Sequence, residues 1–394
     1  MAESGRAVVI VRLKESGGTP TTGAPVSLQA VRNRQQTVLT KLAAEGGWRL
    51  RHRYATIPYL VGEVDYSALG TLAAMDEVAG IETDRRVFPA DAESNQLIGA
   101  TAVQQSYGYG GAGVNVGLID TGIDLIHPDL ANALVAGRRI LQQGSIQNDN
   151  VQDDTGHGSH IAGIITSDGT IAPKGIAPGA GLVVVKAVDA TGGWVSDVAA
   201  GIDWIVQRNA QVAAAARVRF INLSLFFACA DTDPSCLGEL PAHCPCDDVT
   251  GYTVFRDAVS AALAAGITCI AAAGNDGENT LRIPACFSNI ISVGATFDRD
   301  YLYAPTQIQQ YPTTATFRSV AGSFFADCKH PTPVQPDWLV CFSNRAPCMD
   351  FVAPGYQITS VLLGDYQHTL ISYGTSQATA HVTAALAVLQ QAAP

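Results

Sequence analysis

The chain has 394 residues, of which 47% are hydrophobic and 15% are charged, and its formal net charge is −11. This composition supports a large buried core and argues against wholesale disorder. The acidic balance argues against a nucleic acid or an anionic membrane surface as a partner, because both require a basic face. At roughly 150 residues per domain, the length allows one large domain beside a small one.

Charge and cysteine are unevenly distributed along the chain. Residues 1–90 have a charge of +2, whereas residues 91–394 have a charge of −13, and all nine cysteines lie at or after Cys229. No uncharged stretch is long and apolar enough for a membrane span. The first residues lack the basic and then apolar pattern of a secretory signal, so either the protein is not secreted or a signal has been trimmed from this sequence.

The N-terminal part has the pattern of a small α/β unit. Strands are predicted at residues 6–13, 59–64 and 78–82, and helices at 26–44 and 68–75. We assign the unit the β-α-β-β-α-β order of a split βαβ unit of about 85 residues, of which the pattern locates three strands and both helices.

A linker is predicted after this unit, because segment 87–95 contains proline, small residues and acids without periodicity. The small domain is therefore placed at residues 1–90, the linker at 91–95 and a large domain at 96–394.

The large domain alternates buried strands with helices. Continuous apolar runs, typical of buried parallel strands, occur at 114–119, 182–188, 220–225, 267–273 and 290–293. Helical stretches occur at 157–166, 195–207, 253–265 and 375–391. This alternation predicts an α/β fold with a doubly wound, mostly parallel sheet. Two segments rich in Cys, Pro and Asp interrupt the pattern and are predicted to be surface insertions, 226–252 and 298–349.

Three residues of the large domain have the types and the order of a nucleophilic triad. Asp120 ends a buried strand, His157 lies between glycines at the start of a helix, and Ser376 begins the last helix. A serine hydroxyl needs an adjacent base, a histidine accepts its proton near neutral pH, and a buried carboxylate fixes the histidine tautomer. Each residue alone is more simply interpreted as a cap or loop residue, but together they predict nucleophilic catalysis.

In these three motifs the chain resembles the subtilases, the subtilisin-like serine peptidases, over roughly residues 96–394. The resemblance implies a subtilisin-like fold with Asp120 as the orienting acid, His157 as the general base and acid, and Ser376 as the nucleophile. It also implies that Asn275 donates a hydrogen bond to the oxyanion beside the backbone N–H of Ser376. The implied activity is hydrolysis of peptide bonds through an acyl-enzyme on Ser376.

The same resemblance marks segments that bind the substrate. One is an edge strand that pairs with the substrate backbone, and a second is the edge facing it. A third is a wall of small residues that leaves room for a large apolar residue before the scissile bond. The predicted substrate-binding residues are Leu223, Ser224, Leu225, Gly192, Gly193, Ala271, Ala272, Ala273 and Gly274.

The sequence departs from the subtilase pattern at four positions near these motifs. Phe226 and Phe227 stand where the family usually has two glycines, Gln377 where it usually has methionine and Ala380 where it usually has proline. The two phenylalanines either crowd the mouth of the pocket or pack on the core where the insertion begins, and the second interpretation is favoured.

The N-terminal residues 1–90 resemble the inhibitor-type propeptide of subtilases, on segments 59–65 and 78–84. The resemblance implies a zymogen whose propeptide assists folding and inhibits the enzyme until it is cleaved between about residues 87 and 95. The alternative is an unrelated α+β binding domain. Opposite charges on the two domains suit an inhibitor held partly by long-range attraction.

Catalysis by a triad requires no cofactor, although calcium stabilises many subtilases. Asp129 matches a family ligand position, but the partner loop 167–174 is shorter than usual, so an intact site is not expected. The acidic residues Asp149, Asp153 and Asp154 form either a cation site or a solvated loop, the favoured interpretation. Asp154 has a third option, which is to shape the pocket beside the scissile residue.

The cysteines predict disulfides in the insertions and therefore an extracellular or other oxidising compartment. Cys286 is expected to pair with an insertion cysteine, and Cys269, in a core strand, is the candidate for the free buried thiol. A less favoured zinc site would use Cys236, His243, Cys244 and Cys246, although one residue between the last two is fewer than zinc sites usually have.

The function predicted from these features is that of a secreted-type serine endopeptidase made as a zymogen. Its expected partners are a peptide or protein substrate and its own propeptide, with the protein acting as a monomer and without nucleic acid or membrane. The long insertions leave open a dedicated precursor-processing peptidase. A third alternative is an inactive binding protein locked by its propeptide.

Overall fold

The computed structural model describes residues 6–14, 28–54, 58–83, 90–227, 244–249, 252–299 and 334–394. The chain divides into two compact units, Met1–Val87 and Phe88–Pro394. In the parts just given, no helix has both the length and the apolar character that crossing a membrane requires.

The N-terminal unit is a four-stranded antiparallel sheet with two helices. Its elements are β1 (Ala7–Leu13), α1 (Leu28–Glu45), β2 (Trp48–Arg53), β3 (Tyr59–Val64), α2 (Tyr66–Ala74) and β4 (Val78–Thr83). The strand order is β2-β3-β1-β4. The side chains of Val11, Val38, Leu60 and Leu72 are buried in one core between the sheet and the helices. The element order is the predicted β-α-β-β-α-β, although the strand β2 was not among the three strands located from the sequence.

The second unit contains the large sheet and the remaining helices. Its helices are α3 (Ala90–Leu97), α4 (Ala100–Tyr107), α5 (His157–Thr166), α6 (Val195–Gln211), α7 (Thr253–Ala264) and α8 (Thr375–Ala392). Its first strands are β5 (Asn115–Asp120), β6 (Leu134–Leu141), β7 (Ile146–Asn148), β8 (Gly181–Lys186), β9 (Val188–Asp189), β10 (Gly192–Gly193) and β11 (Val218–Leu223). Its later strands are β12 (Thr268–Ala272), β13 (Ile290–Thr296), β14 (Phe351–Pro354), β15 (Ile358–Val361) and β16 (Thr369–Ser372).

Eight strands of this unit form one sheet in the order β14-β13-β12-β11-β5-β8-β6-β7. Every neighbouring pair is parallel except β6 and β7. Alternate side chains of β8 enter different cores: Val183 and Val185 pack in the core that contains α6 and α7, and Leu182 and Val184 in the core that contains α5 and α8. Burial on both faces explains why these strands are continuous apolar runs, and the doubly wound α/β prediction is confirmed.

Two local predictions differ from the structure. The predicted linker 91–95 is helical, as part of α3. Ser94, which is polar, is fully buried in this helix. The segment therefore lacks the apolar periodicity from which helices are predicted. The predicted insertion 298–349 is not wholly a surface segment, because Val340 and Phe342 are buried in a core with Val293 and Ala295 of β13. The proline, cysteine and aspartate content of this segment suggested a surface loop. Val340 and Phe342 are nevertheless buried, because they contact the distant strand β13.

Candidate active site

A cleft of about 270 Å³ lies where the strands β5 and β11 end and the helices α5 and α8 begin. Its lining residues are Asp120, Thr121, His157, Val188, Ser224, Leu225, Phe226, Asn275, Ser372, Tyr373, Ser376 and Gln377. The four predicted catalytic residues are all in this set. The carboxyl ends of parallel strands are the usual place for a site in a doubly wound sheet, because the strand order reverses there and leaves a crevice.

Asp120 and His157 form a close pair in this cleft. The Nδ1 of His157 lies 2.7 Å from the Oδ1 of Asp120, and the backbone N–H of Thr121 donates to the same oxygen at 2.7 Å. Asp120 is the last residue of β5 and is 2% exposed, whereas His157 is the first residue of α5. Because a carboxylate only accepts, Nδ1 carries the proton and Nε2 of the neutral ring is left as an acceptor.

The environment of His157 raises its pKa above the ordinary value of 6.5. Burial alone lowers the pKa, but the charge of Asp120, its hydrogen bond and the charge of Asp153 together outweigh burial. A base with a raised pKa binds the serine proton more strongly.

Ser376 lies in the first turn of α8, next to the end of β11. Its Oγ donates to the backbone carbonyl of Ser224 at 3.1 Å, and the hydroxyl of Ser224 donates to the carbonyl of Ser376 at 2.8 Å. These two bonds hold the helix start against the end of the strand. A proton transfer from Ser376 to His157 would require this hydroxyl to turn away from the Ser224 carbonyl.

The side chain of Asn275 is oriented by Thr375. The Oδ1 of Asn275 accepts from the backbone N–H of Thr375 at 2.9 Å and from its hydroxyl at 3.0 Å. That hydroxyl also accepts from the backbone N–H of Gly274 at 3.2 Å. Two donors at Oδ1 leave the amide NH₂ of Asn275 as the end that can donate to an oxyanion. Thr375 was not predicted as a functional residue, because beside a nucleophile its type is indistinguishable from a helix cap.

We expect Asn275→Ala to lower kcat for peptide hydrolysis by about 10²–10³-fold with little change in KM, because the lost donor acts on charge that develops only in the transition state. Steady-state kinetics would measure the change. Asn289→Ala, at a half-buried position outside the cleft, is the matched control. An Asn275→Ala protein with unchanged kcat would contradict this role.

Asp153 holds the start of α5, which carries His157. One of its carboxylate oxygens accepts from the hydroxyl of Thr121 at 2.9 Å and from the backbone N–H of Gly156 at 3.1 Å. The other accepts from the hydroxyl of Ser159 at 2.6 Å. Asp153 is 4% exposed. The favoured interpretation as a solvated loop is therefore wrong for this residue, whose carboxylate compensates the unpaired N–H groups of a helix start.

Asp153→Ala should lower the free energy of unfolding by about 3 kcal/mol or more, because several buried donors lose their shared acceptor. Denaturant unfolding of variants inactivated at Ser376 would measure the change without self-digestion. The control is Asp149→Ala, since Asp149 is exposed and its ion pair with Arg138 is worth about 0–1 kcal/mol. Equal stability of the two variants would contradict the anchoring role.

Asp154 pairs with a buried lysine beside the cleft. The Nζ of Lys186 lies 2.7 Å from Asp154 and donates to the backbone carbonyl of Thr121 at 2.6 Å. Lys186 is 1% exposed and is the last residue of β8. The pair thus supports the backbone that follows Asp120.

The predicted substrate-binding residues fall into two groups. Ser224 and Leu225 line the cleft directly after β11, which ends at Leu223. Gly192 and Gly193 form the short strand β10, in which Gly193 pairs with the cleft residue Val188.

The other group lies further inside. Ala271, Ala272 and Ala273 are at most 1% exposed. A Cβ atom on Gly274 would lie 2.5 Å from Cγ of Arg282 and 2.6 Å from the amide nitrogen of Asn344. A side chain at position 274 would therefore collide with Arg282 and Asn344, which come close to Gly274 only in the folded chain.

The two phenylalanines that replace the usual glycines have different environments. Phe226 lines the cleft, and the guanidinium of Arg282 lies 5.7 Å from its ring centre. Asp276 holds this guanidinium through two hydrogen bonds of 2.8 and 2.7 Å. Phe227 packs edge-on against Phe255 in the core, with 4.8 Å between the ring centres. Phe226 therefore lies at the pocket, as in the first interpretation, whereas Phe227 packs on the core, as in the second.

Comparison with known protein families gives this cleft its context. The profile described as "Subtilase family" matches residues 111–394. The chain belongs to the subtilase family. It is 29% identical to an extracellular serine proteinase of Thermus sp. (strain Rt41A), over 91% of this chain and 72% of that protein. It is 30% identical to subtilisin DY of Bacillus licheniformis, over 74% and 82%, and 30% identical to an intracellular serine protease of Paenibacillus polymyxa, over 72% and 68%.

In this subtilase the candidate calcium ligand Asp129 accepts hydrogen bonds from a neighbouring loop. Its two carboxylate oxygens accept from the backbone N–H groups of Ile171 and Ala172 at 2.8 and 2.6 Å. Both carboxylate oxygens of Asp129 thus accept from backbone donors of the loop that contains Ile171 and Ala172. No cluster of three or more His, Cys, Asp and Glu suited to a metal occurs among the residues that the structure describes.

The cysteines of this subtilase form disulfides within the second unit. Cys244 is bonded to Cys348 and Cys246 to Cys286, and Cys341 is also disulfide-bonded. The zinc alternative is therefore wrong, since the thiols of Cys244 and Cys246 are consumed. The remaining predicted zinc ligands, Cys236 and His243, lie outside the described residues, as do Cys229 and Cys328.

Cys269 is a free thiol buried in β12, where burial raises its pKa to about 12. It is therefore a neutral and unreactive side chain at physiological pH.

Proposed function

We propose that this subtilase is a serine endopeptidase that hydrolyses peptide bonds through an acyl-enzyme on Ser376. The observation that carries the proposal is the 2.7 Å contact between Asp120 and His157 in the cleft lined by Ser376 and Asn275. Nucleophile, base, orienting acid and oxyanion donor are the minimum set for acyl transfer. No cofactor is needed for this chemistry.

The reaction proceeds in two halves. His157 takes the proton of Ser376 as its Oγ attacks the scissile carbonyl, and Asp120 stabilises the imidazolium that forms. The oxyanion accepts from Asn275 and from the backbone N–H of Ser376. His157 then gives its proton to the leaving amine. In the second half His157 takes a proton from a water molecule that attacks the acyl-enzyme, and it returns a proton to Oγ of Ser376 as the acid product leaves.

The substrate binds as an extended strand along Ser224 and Leu225, with a large apolar residue before the scissile bond. Support for this preference comes from the apolar side chains of the cleft, which include Val188, Leu225 and Phe226. An apolar substrate side chain gains free energy by leaving water for such surfaces, at about 25 cal/mol per Å².

We further propose that residues 1–90 are a propeptide that is cleaved between about 87 and 95. The small antiparallel α/β unit and its charge of +2 against −13 support an inhibitor attracted by the catalytic unit. Mass spectrometry of the incubated wild type is expected to show loss of this segment, and binding of the separate segment should weaken with salt. A wild type that stays intact after activation would count against cleavage of the propeptide. Binding of the separate segment with an affinity independent of salt would count against its electrostatic attraction to the catalytic unit.

Labelling and cleavage assays test the peptidase itself. A fluorophosphonate probe should label Ser376 after removal of the N-terminal segment, and internally quenched peptides should be cleaved within the chain. Absence of both would overturn the proposed activity and favour a binding protein locked by its propeptide. A dedicated processing peptidase is the second candidate, favoured by Phe226, which extends from the first insertion into the cleft. A broad cleavage profile over a peptide library would exclude that candidate.

The disulfides favour an extracellular or other oxidising compartment for this enzyme. The names of the relatives differ on this point, since one is extracellular and another intracellular. We propose that the enzyme acts as a monomer on peptide or protein substrates.

A further inference from the structure

Asn344 is a fully buried polar residue to which the proposed mechanism assigns no role. It is 0% exposed, so its side chain cannot touch a substrate in the cleft. It lies near the end of the predicted insertion 298–349, between the buried Phe342 and the strand β14. Burying an amide is unfavourable unless its polar atoms find partners. The hydrogen-bond partners of Asn344 therefore indicate what this residue does.

The hydrogen bonds of Asn344 bracket the oxyanion residue Asn275. The backbone N–H of Asn344 donates to the carbonyl of Gly274 at 3.0 Å. Its side-chain Oδ1 accepts from the backbone N–H of Asp276 at 2.9 Å and from that of Glu278 at 3.2 Å. One residue thus holds both the backbone that enters Asn275 and the backbone that leaves it.

The amide nitrogen of Asn344 bonds to the same loop. Nδ2 donates to Oδ2 of Asp276 at 3.1 Å, and this carboxylate is also held by the guanidinium of Arg282. Gly274 has a φ of +109°, and a Cβ atom there would lie 2.6 Å from Nδ2 of Asn344. Glycine at this position therefore permits both the backbone conformation and the close approach of the amide. Both polar atoms of the Asn344 side chain are bonded to the chain beside Asn275.

The segment that carries Asn344 is itself fixed to the large sheet. The backbone N–H of Ala295 in β13 donates to the hydroxyl of Ser343 at 3.0 Å. The side chain of Phe342 is buried in the core beside β13, and its carbonyl accepts from the backbone N–H of Gly277 at 2.7 Å. A residue whose neighbours are packed and bonded in this way has little freedom to move, so Asn344 can fix the position of the loop that it binds.

We propose that Asn344 is a positioning residue, which holds the backbone on both sides of Asn275 so that its amide NH₂ meets the oxyanion. Thr375 sets the rotation of the Asn275 side chain, whereas the bonds of Asn344 set where its backbone lies. Position matters here, because misplacing a catalytic group by about 1 Å can lower a rate by on the order of 10²-fold. This inference rests on the proposed peptidase activity.

A double-mutant cycle separates action through Asn275 from a general loss of structure. Asn344→Ala keeps the backbone N–H but removes the side-chain bonds to Asp276 and Glu278. We expect it to lower kcat for an internally quenched peptide by on the order of tenfold, with KM changed by less than about twofold, because the oxyanion forms only in the transition state. In the Asn275→Ala background the same substitution should lower kcat by less than about twofold, since the donor that it positions is already absent.

Asn279→Ala is the matched control for this cycle. Oδ1 of Asn279 accepts from Nε of Arg345 at 2.9 Å, so this exposed asparagine joins the same two loops without bonding the residues next to Asn275. Its removal should change kcat and KM by less than about twofold. The final stoichiometry of fluorophosphonate labelling gives the active fraction of each variant, so that kcat refers to folded enzyme. Asn344→Ser, which keeps an acceptor, replaces the alanine variant if that variant folds too poorly to be titrated.

The outcomes distinguish the two proposals. Equal losses of kcat in the wild-type and Asn275→Ala backgrounds would overturn the positioning role of Asn344 while leaving the peptidase proposal intact. An unchanged kcat, or a change confined to KM, would do the same. A wild type that does not hydrolyse the peptide would overturn the peptidase proposal and the role of Asn344 with it.

Discussion

Ser376→Ala is expected to lower kcat for peptide hydrolysis by on the order of 10⁶-fold, because no other atom can form the acyl-enzyme. KM should change little, since Ser224 and Leu225 still line the cleft beside the missing hydroxyl. The structural loss is small, because the Ser376 hydroxyl makes one hydrogen bond, to the carbonyl of Ser224. Stopped assays at high enzyme concentration would measure the residual rate.

The same variant tests self-cleavage. Mass spectrometry of Ser376→Ala beside the wild type should show a full-length variant and a wild type shortened within residues 87–95. Ser288→Ala, at an exposed serine outside the cleft, should behave like the wild type in both assays. A shortened Ser376→Ala protein would mean that another peptidase makes the cut, and substantial hydrolysis by it would rule out Ser376 as the nucleophile.

Asp120→Asn is expected to lower kcat by on the order of 10⁴-fold with the fold retained. An amide NH₂ facing Nδ1 of His157 would move the imidazole proton to Nε2, which then cannot accept from Ser376. Asp154→Asn is the matched control, because it removes a nearby carboxylate that pairs with Lys186 rather than with His157. Similar losses in the two variants would indicate a general effect of charge on the site.

The pH dependence of the two forms follows from the pKa of His157. Hydrolysis needs the neutral imidazole, so kcat/KM should rise with pH through the raised pKa, which places the acid limb of the wild type above pH 6.5. Removing the charge of Asp120 leaves burial, which lowers the pKa, as the main influence. The acid limb of Asp120→Asn should therefore lie at lower pH, and a shift to higher pH would contradict this assignment.

Much of the scaffold was predictable because its signals are local. The helix that begins at His157 was predicted with the bounds observed for α5, because its apolar residues recur with the helical period. Buried parallel strands such as β5 and β12 are continuous apolar runs. Asp120 was recognisable because it ends a buried strand, and Ser376 because it lies at the start of a helix. Both have glycine or other small residues nearby in the sequence.

The parts that escaped prediction depend on partners far along the chain. Asp153 was interpreted as a solvated acid, although a strand end and a helix start surround its carboxylate. Arg282 fills the space beside Gly274 through packing that its sequence neighbours do not indicate. The segment around Phe342 becomes core only because β13 lies beneath it.

The sequence by itself determined the fold class and the order of the candidate catalytic residues, because hydrophobic periodicity and short motifs are properties of neighbouring residues. Only the tertiary structure decided that Thr375 orients Asn275, that Asp129 accepts from a neighbouring loop, and that Oε1 of Gln377 meets no donor among the residues that the structure describes. Each of these depends on whether a particular donor meets a particular acceptor. Which donor reaches which acceptor depends on how whole helices and strands pack, so a local sequence pattern does not predict these hydrogen bonds.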